Sequence, residues 1–176
     1  MKFNNLKAAE NAPNDINALI EIAANSAPIK YEFDKNTQSL HVDRLLNVAM
    51  NYPCNYGFIP QTLADDGDAV DVLVITPLAL LPLSVIRVRP IGMLAMTDES
   101  GIDTKILAVP ISKISHHYDH VKSYSDLPIE TLNAIKHFFE HYKDLETGKW
   151  VKVDKWLGIT EAHKEIMQGI KNYQAS

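Results

Sequence analysis

From Ala18 to Val109 the chain is written almost entirely in short apolar segments, broken at close intervals by Gly, Pro, Asn and Asp. Leu19 to Ile22, Ile29 to Phe33, Leu40 to Leu45, Val70 to Thr76, Val85 to Met96 and Lys105 to Val109 combine β-branched or aromatic content with turn residues at their flanks, which predicts strands. A series of strands with no long helix between them predicts an antiparallel barrel or sandwich. Helical signals come only afterwards. Ser125 or Asp126 can cap a helix with Pro128 in its first turn, and Leu132, Ile135, Phe138, Phe139 and Tyr142 then recur at helical spacing. A second helix is expected from about Thr160, burying Ile166 and Ile170. The fold class is therefore α+β, with the main helices C-terminal.

At 176 residues and 46% hydrophobic content, one domain spanning residues 1–176 is expected. Met1 to Asp15 shows no apolar run behind a basic stretch, and the longest apolar run, Leu78 to Ile86, is broken by Pro82 and Ser84. That is far short of the roughly 20 residues a membrane helix needs, so a cytoplasmic protein without a membrane partner is expected. Cys54 is the single cysteine, which excludes an intrachain disulfide and a thiolate metal cage. The formal net charge of -5 argues against nucleic acid as a partner, since nucleic-acid binders carry a basic footprint.

The chemistry concentrates in Asp66-Gly67-Asp68-Ala69-Val70-Asp71, where three carboxylates run straight into the apolar strand Val72-Leu73-Val74-Ile75. Carboxylates this close repel one another, and a charge entering a buried strand requires a positive partner. Hard Mg²⁺, Mn²⁺ or Ca²⁺ suits an all-carboxylate donor set. A second acidic group, Asp98-Glu99-Ser100-Gly101-Ile102-Asp103, follows the long strand, with Lys105 on the same side as Asp103. Alone it reads as a solvated turn; beside the first, two acidic loops at strand ends can converge at one mouth of a barrel, where ligand sites are common. Alternation places Lys30 and Glu32 on one face of their strand. It places Arg44 with Leu40 and Val42, pointing inward, where a cation needs an anion. Tyr52, Tyr56 and Tyr142 pair apolar rings with polar tips, for which core packing is the default reading.

Rival motifs fit less well. Counted from Asp66, an EF-hand would need Gly at the sixth position and Glu at the twelfth, where Asp71 and Pro77 stand. His137-Phe138-Phe139-Glu140-His141 matches an H-x-x-E-H zinc pattern but lacks a third ligand and places two phenylalanines on the packing face. His116-His117-Tyr118-Asp119-His120 reads as a polar surface loop, Asp65 as a solvated turn residue, and nothing local lowers the pKa of Cys54. A barrel used only for binding, of nucleic acid or another partner, would show a basic stripe with exposed aromatics instead of concentrated acids.

From about Ile20 to Lys152 the chain resembles the family I soluble inorganic pyrophosphatases in their short bacterial form. The resemblance is carried by Pro28-Ile29-Lys30-Tyr31-Glu32, Val42-Asp43-Arg44, Tyr52-Pro53-Cys54-Asn55-Tyr56-Gly57, Asp66-Gly67-Asp68 through Asp71-Val72, Asp98-Glu99, Asp103 with Lys105, and His137 through Lys149. It implies an OB-like barrel with flanking helices and Mg²⁺-dependent hydrolysis of pyrophosphate to two phosphates, with several metal ions per site and Mn²⁺ as a substitute. Asp66, Asp71 and Asp103 would hold one Mg²⁺, Asp71 bridging to a second. Asp98, with Asp103, Glu21 and Glu32, would hold metals arriving with substrate. Lys30, Arg44, Tyr56, Tyr142 and Lys143 would grip phosphate, assisted by Lys105, with Tyr52 supporting, and Asp68 would be the general base. The short form implies a homohexamer. Ala69 stands where the family signature usually has Pro or Glu. Pro would fix φ and Ala does not, so metal affinity is where a cost is expected.

Overall fold

The computed structural model describes residue 3 and residues 5–175. Its elements are β1 (Ala9–Asn11), β2 (Asp15–Ile22), β3 (Ile29–Asp34), β4 (Ser39–Leu45), β5 (Asn55–Phe58), β6 (Asp71–Val74), β7 (Val85–Asp98), β8 (Gly101–Pro110), α1 (Ile129–His141), β9 (Val151–Leu157) and α2 (Ile159–Ala175). Strand β2 pairs with β5 on one side and β7 on the other, β5 pairs with β6, β6 with β8, and β8 with β7, so the sheet returns on itself. The ring is the OB-like barrel, and closure removes the open edges that a flat sheet of these strands would expose. All these pairings are antiparallel except β6 with β8, which run parallel. β1 joins β2 and β9 joins β7 outside the ring, while β3 and β4 form a separate hairpin.

The parallel pair reads as apolar runs, Val72 to Val74 in β6 and Ile106 to Val109 in β8, because both faces are covered. Leu73 and Leu107 pack with Leu132, Ile135, Phe138 and Phe139 of α1. Val72, Val74, Ile106 and Ala108 face the opposite way and pack with Ala162 and Ile166 of α2. The predicted helices thus cover opposite faces. α1 begins later than its cap signals suggest: the Asp126 carboxylate is taken by the backbone N–H groups of Lys122 (2.7 Å) and Ser123 (2.9 Å), closing a short 3₁₀ turn over Tyr124–Asp126. Pro128 then becomes the N-cap.

Strand β5 falls in a segment that reads as turn-like, since Asn and Gly are poor strand formers. Both earn their place through tertiary contacts. The Asn55 side chain accepts from Ala24 N (3.1 Å) and Leu80 N (2.8 Å), and a Cβ on Gly57 would run into the Leu19 carbonyl across the β2–β5 pair. Among the described residues, no helix is long and apolar enough to cross a membrane.

Candidate active site

Pairing directions bring the starts of parallel β6 and β8 and the ends of antiparallel β5 and β7 to one end of the ring. There the two acidic loops meet, together with the β3–β4 hairpin and the C-terminal end of α1, around a cavity of ≈ 350 Å³. Glu21, Lys30, Glu32, Arg44, Tyr56, Asp66, Asp68, Asp71, Asp98, Asp103, Lys105, Tyr142 and Lys143 all line it, so every site residue expected from the sequence faces one space except Tyr52. Tyr52 is 2% exposed and stacks behind the wall, its ring 5.4 Å from Tyr56 and 4.6 Å from Phe138. Its place is in the packing that holds Tyr56.

Two lysines organise the acids. The parallel register sets Asp71 of β6 opposite Lys105 of β8, and strand alternation brings Asp103 to the same side. The Lys105 ammonium, 4% exposed as a residue, therefore binds both Asp71 and Asp103, the latter at 2.6 Å. Burial works against this ammonium, but the two carboxylates overcome it and raise its pKa above the ordinary lysine value. Burial, with Asp71 adding repulsion, in turn holds the Asp103 carboxyl above its usual range even with Lys105 in contact. Two carboxylates share one cation, and the cluster is short of positive charge. The partner demanded by Asp71 is thus supplied in part by the chain itself.

The second cluster repeats the device. Lys143, just beyond α1, reaches the β7–β8 turn and donates to Asp98 (2.7 Å) and Glu99 (3.1 Å). Burial opposes the Asp98 carboxylate, but Lys143 and the Ser100 N–H hold its pKa below the ordinary value. Tyrosines floor both clusters: the Lys105 ammonium lies 5.6 Å from the Tyr56 ring centroid and that of Lys143 lies 5.7 Å from the Tyr142 centroid. Burial raises both phenols above their ordinary pKa, keeping them protonated donors.

The Asp66 to Asp68 turn is exposed and held locally, with Asp68 N donating to Asp66 Oδ1 at 3.0 Å and Gly67 at φ +92. Glu21 is 7% exposed and accepts from the Phe33 N–H at 2.7 Å, tying the hairpin to the barrel. Burial pushes its carboxyl up to about 8.

Arg44 faces the cavity by a different route from the one alternation suggests. Tyr31 pairs with Val42 and Lys30 with Arg44, leaving Asp43 as an extra residue in β4. The bulge shifts the side-chain phase, so Val42 is 59% exposed instead of pointing inward while Arg44 turns to the cavity. Arg44 donates to Asp43 (2.7 Å) and Glu146 (2.9 Å), and Lys30 bonds Glu32 and lies 3.3 Å from Asp43. Lys35 also lines the cavity and has no signal in the sequence, and Glu99 and Lys149, which fall within the quoted motifs without a role of their own, line it too. Lys149 is held in the turn after α1, its ammonium 3.4 Å from the Glu146 carboxylate three residues earlier.

Among the described residues, no three His, Cys, Asp or Glu side chains are already gathered closely enough to hold a metal ion. The donors fit a hard cation in kind, being all carboxylate oxygens around one cavity. Their present spacing is set by Lys105 and Lys143, whose ammonium groups lie between the acids. The rival sites do not assemble. Phe138 and Phe139 are buried, and the rings of His137 and His141 lie tilted against each other at 4.6 Å, with His141 bonded to Asp144. Burial pushes the Cys54 thiol up to about 12, so it is inert.

A closed OB-like barrel with an acid-rich, lysine-bridged cavity at one end defines a class of protein that handles a small, highly charged anion. Residues 18–174 match the family model described as inorganic pyrophosphatase. The chain is 58% identical over 174 residues to the inorganic pyrophosphatase of Ralstonia nicotianae, covering 99% of each chain. It is 59% identical over 172 residues to that of Yersinia pestis, covering 97% of this chain and 98% of the other. The structure superposes on the inorganic phosphatase of Anaplasma phagocytophilum with a TM-score of 0.95 at 47% identity, covering 97% and 99% of the two chains. For the inorganic pyrophosphatase of Thermus thermophilus the TM-score is 0.93 at 39% identity, with 99% of each covered. The chain belongs to the inorganic pyrophosphatase family, enzymes that hydrolyse pyrophosphate.

Proposed function

We propose that this chain hydrolyses pyrophosphate to two orthophosphates in an Mg²⁺-dependent reaction in which Asp68 is the general base. The observation that carries the reading is the charge inventory of the cavity. Eight acids (Glu21, Glu32, Asp66, Asp68, Asp71, Asp98, Glu99, Asp103), of which the buried Glu21 keeps its proton at neutral pH, face six cations (Lys30, Lys35, Arg44, Lys105, Lys143, Lys149), so carboxylates still outnumber cations. A substrate with several negative charges is repelled by that excess unless further cations come with it. Asp66, Asp71, Asp103 and Asp98 would hold the metal ions, with Glu21 and Glu32 supporting. Bound Mg²⁺, or Mn²⁺ in its place, would offset the substrate's charge and lower the pKa of the attacking water.

The chain's own groups divide the rest of the work. Lys30, Arg44 and Lys143 bind phosphate oxygens as charge-assisted donors, with Lys105 assisting once the anion competes for its ammonium. Tyr56 and Tyr142 donate from phenols kept protonated by burial. Asp68, unlike Asp71, Asp98 and Asp103, has no lysine in contact among the described residues, and its carboxylate, unlike that of Asp66, is not taken up by the turn's own backbone. It is exposed at the cavity rim and free to accept the proton of a water attacking in line.

The test is phosphate release from pyrophosphate with Mg²⁺, with Mn²⁺ and with EDTA. Release with either metal and none with EDTA is expected; release unchanged by EDTA refutes metal dependence. A homohexamer and a cytoplasmic location belong to the same proposal, supported by the likeness to short bacterial relatives. Light scattering on the eluting protein checks the assembly.

A further inference from the structure

The connection between β5 and β6 that carries Asp66 and Asp68 is exposed at its tip and crowded with like charge, so something must hold its base. Part of the grip is internal. Thr62 is wholly buried; its hydroxyl donates to the Ile59 carbonyl (2.6 Å) and accepts from the Val70 N–H (2.9 Å), closing the loop eight residues apart. Ala64 N donates to the Asp68 carbonyl at 2.7 Å, bringing the two limbs together.

The other part comes from α2, about a hundred residues further along. The Leu63 peptide is held at both ends: its N–H donates to the Gly169 carbonyl (2.9 Å) and its carbonyl accepts from the Asn172 side chain (3.1 Å). The Asn172 amide is oriented in turn by Gln168, whose Nε2 donates to Asn172 Oδ1 at 2.6 Å. Gly169 lets the helix come this near, because a Cβ there would stand 2.6 Å from Val70 Cγ2 and 3.3 Å from Thr62 Cβ, one atom on each limb of the loop.

We infer that α2, through the Gly169 carbonyl and the Asn172 side chain, is a positioning element for the loop bearing Asp66 and Asp68, and that Asn172 is a positioning residue for cation binding by that loop. The inference rests on the proposed metal-holding role of Asp66. The Asn172 amide grips a main-chain carbonyl three residues before Asp66 and touches no carboxylate. Its loss releases one limb of the loop without altering the donors, so affinity for the cation falls.

The test is Mn²⁺ titration of the metal-free full-length protein, followed by calorimetry or by the loss of the free-ion spin-resonance signal, with thermal melting in EDTA alongside. Asn172→Ala is expected to bind Mn²⁺ between about threefold and tenfold more weakly, the range that one neutral hydrogen bond spans. Asn172→Gln, which keeps an amide donor, recovers part of that. Ile166→Val, on the same helix but outside the hydrogen bonds to Leu63, serves as a stability control and leaves affinity unchanged. Unchanged affinity in Asn172→Ala, or equal weakening in Ile166→Val, overturns the positioning role. Asp66→Asn separates the two levels: if it binds Mn²⁺ as the wild type does, the metal assignment of the loop has failed, not the grip on Leu63.

Discussion

Replacing Glu21 by Gln should stabilise the metal-free protein at neutral pH, by an amount that grows with pH. Glu21 is 7% exposed, and its carboxyl is raised from 4.5 to about 8, chiefly by burial. The native state therefore keeps the proton over a range in which the unfolded chain has already released it. Below pH 4.5 both states are protonated and this group contributes no pH dependence; between 4.5 and about 8 the fold loses ~1.4 kcal/mol per pH unit; above 8 the loss is complete. At pH 7 the penalty is about 3 kcal/mol, a sizeable part of an ordinary domain's stability. Glutamine keeps the oxygen that accepts from Phe33 N–H and cannot ionise, so it removes the penalty without breaking that bond. Urea unfolding in EDTA, at one protein concentration and at pH 4, 5.5, 7 and 8.5, should give a variant-minus-wild-type difference near zero in acid, about 3 kcal/mol in favour of the variant at pH 7, and a plateau beyond 8. A difference that does not change with pH, or a variant less stable than the wild type at pH 7, refutes the claim that burial of the ionised carboxylate is what costs the fold.

Three further outcomes follow from the same geometry. Asp68→Asn should leave the fold and Mn²⁺ titration intact and lower phosphate release by roughly 10²-fold or more, the usual weight of a general base; near-normal turnover removes Asp68 from that role. Asp71→Asn should do more harm, because the lost charge belongs to the proposed metal set and to the Lys105 pair, and an Mg²⁺ dependence identical to that of the wild type removes Asp71 from the metal ligands. Gly57→Ala should cost more than 3 kcal/mol, or prevent soluble expression, because the methyl group meets main chain and no side chain can swing aside; a normal melting temperature would show that β2 and β5 separate more easily than their pairing suggests.

Most strands and both helices were legible from one segment's pattern, but β1 and β9 were not expected, although Val151-Lys152-Val153-Asp154 of β9 alternates. The hairpin strands, the long β7 and both helices follow from local periodicity, whereas β5 hides behind Asn55 and Gly57, whose reasons lie in β2 and in the backbone near Ala24 and Leu80. The site shows the same division. Density of carboxylate against an apolar strand is local, so Asp66, Asp68 and Asp71 stand out unaided, whereas Asp98 and Asp103 read alone as a solvated turn and gain weight only beside them. Which cation meets which acid is decided by pairing. Lys105 opposes Asp71 only because β6 and β8 run parallel, an arrangement that a series of short strands read as antiparallel does not announce. Arg44 reaches the cavity through a bulge at Asp43 that alternation cannot foresee, and Asn172 and Thr62 carry no charge to attract notice at all.

That division explains why the cavity is built with lysines bridging acids. Asp71 and Asp103, or Asp98 and Glu99, left alone in a partly buried wall would oppose the closing of the barrel before any ion arrived. One ammonium per pair lowers that opposition enough for the chain to fold, yet leaves each pair short of full neutralisation. The shortfall is the useful part: a fully balanced cavity would have no call on a cation, and a pyrophosphate entering it would find no positive charge beyond the fixed side chains. Glu21 carries the same tension in a single residue, being ionisable, buried and not fully compensated. Stability is lost where the site must hold its acids ready, and the loss falls on groups that line the cavity, not on the packed faces under α1 and α2.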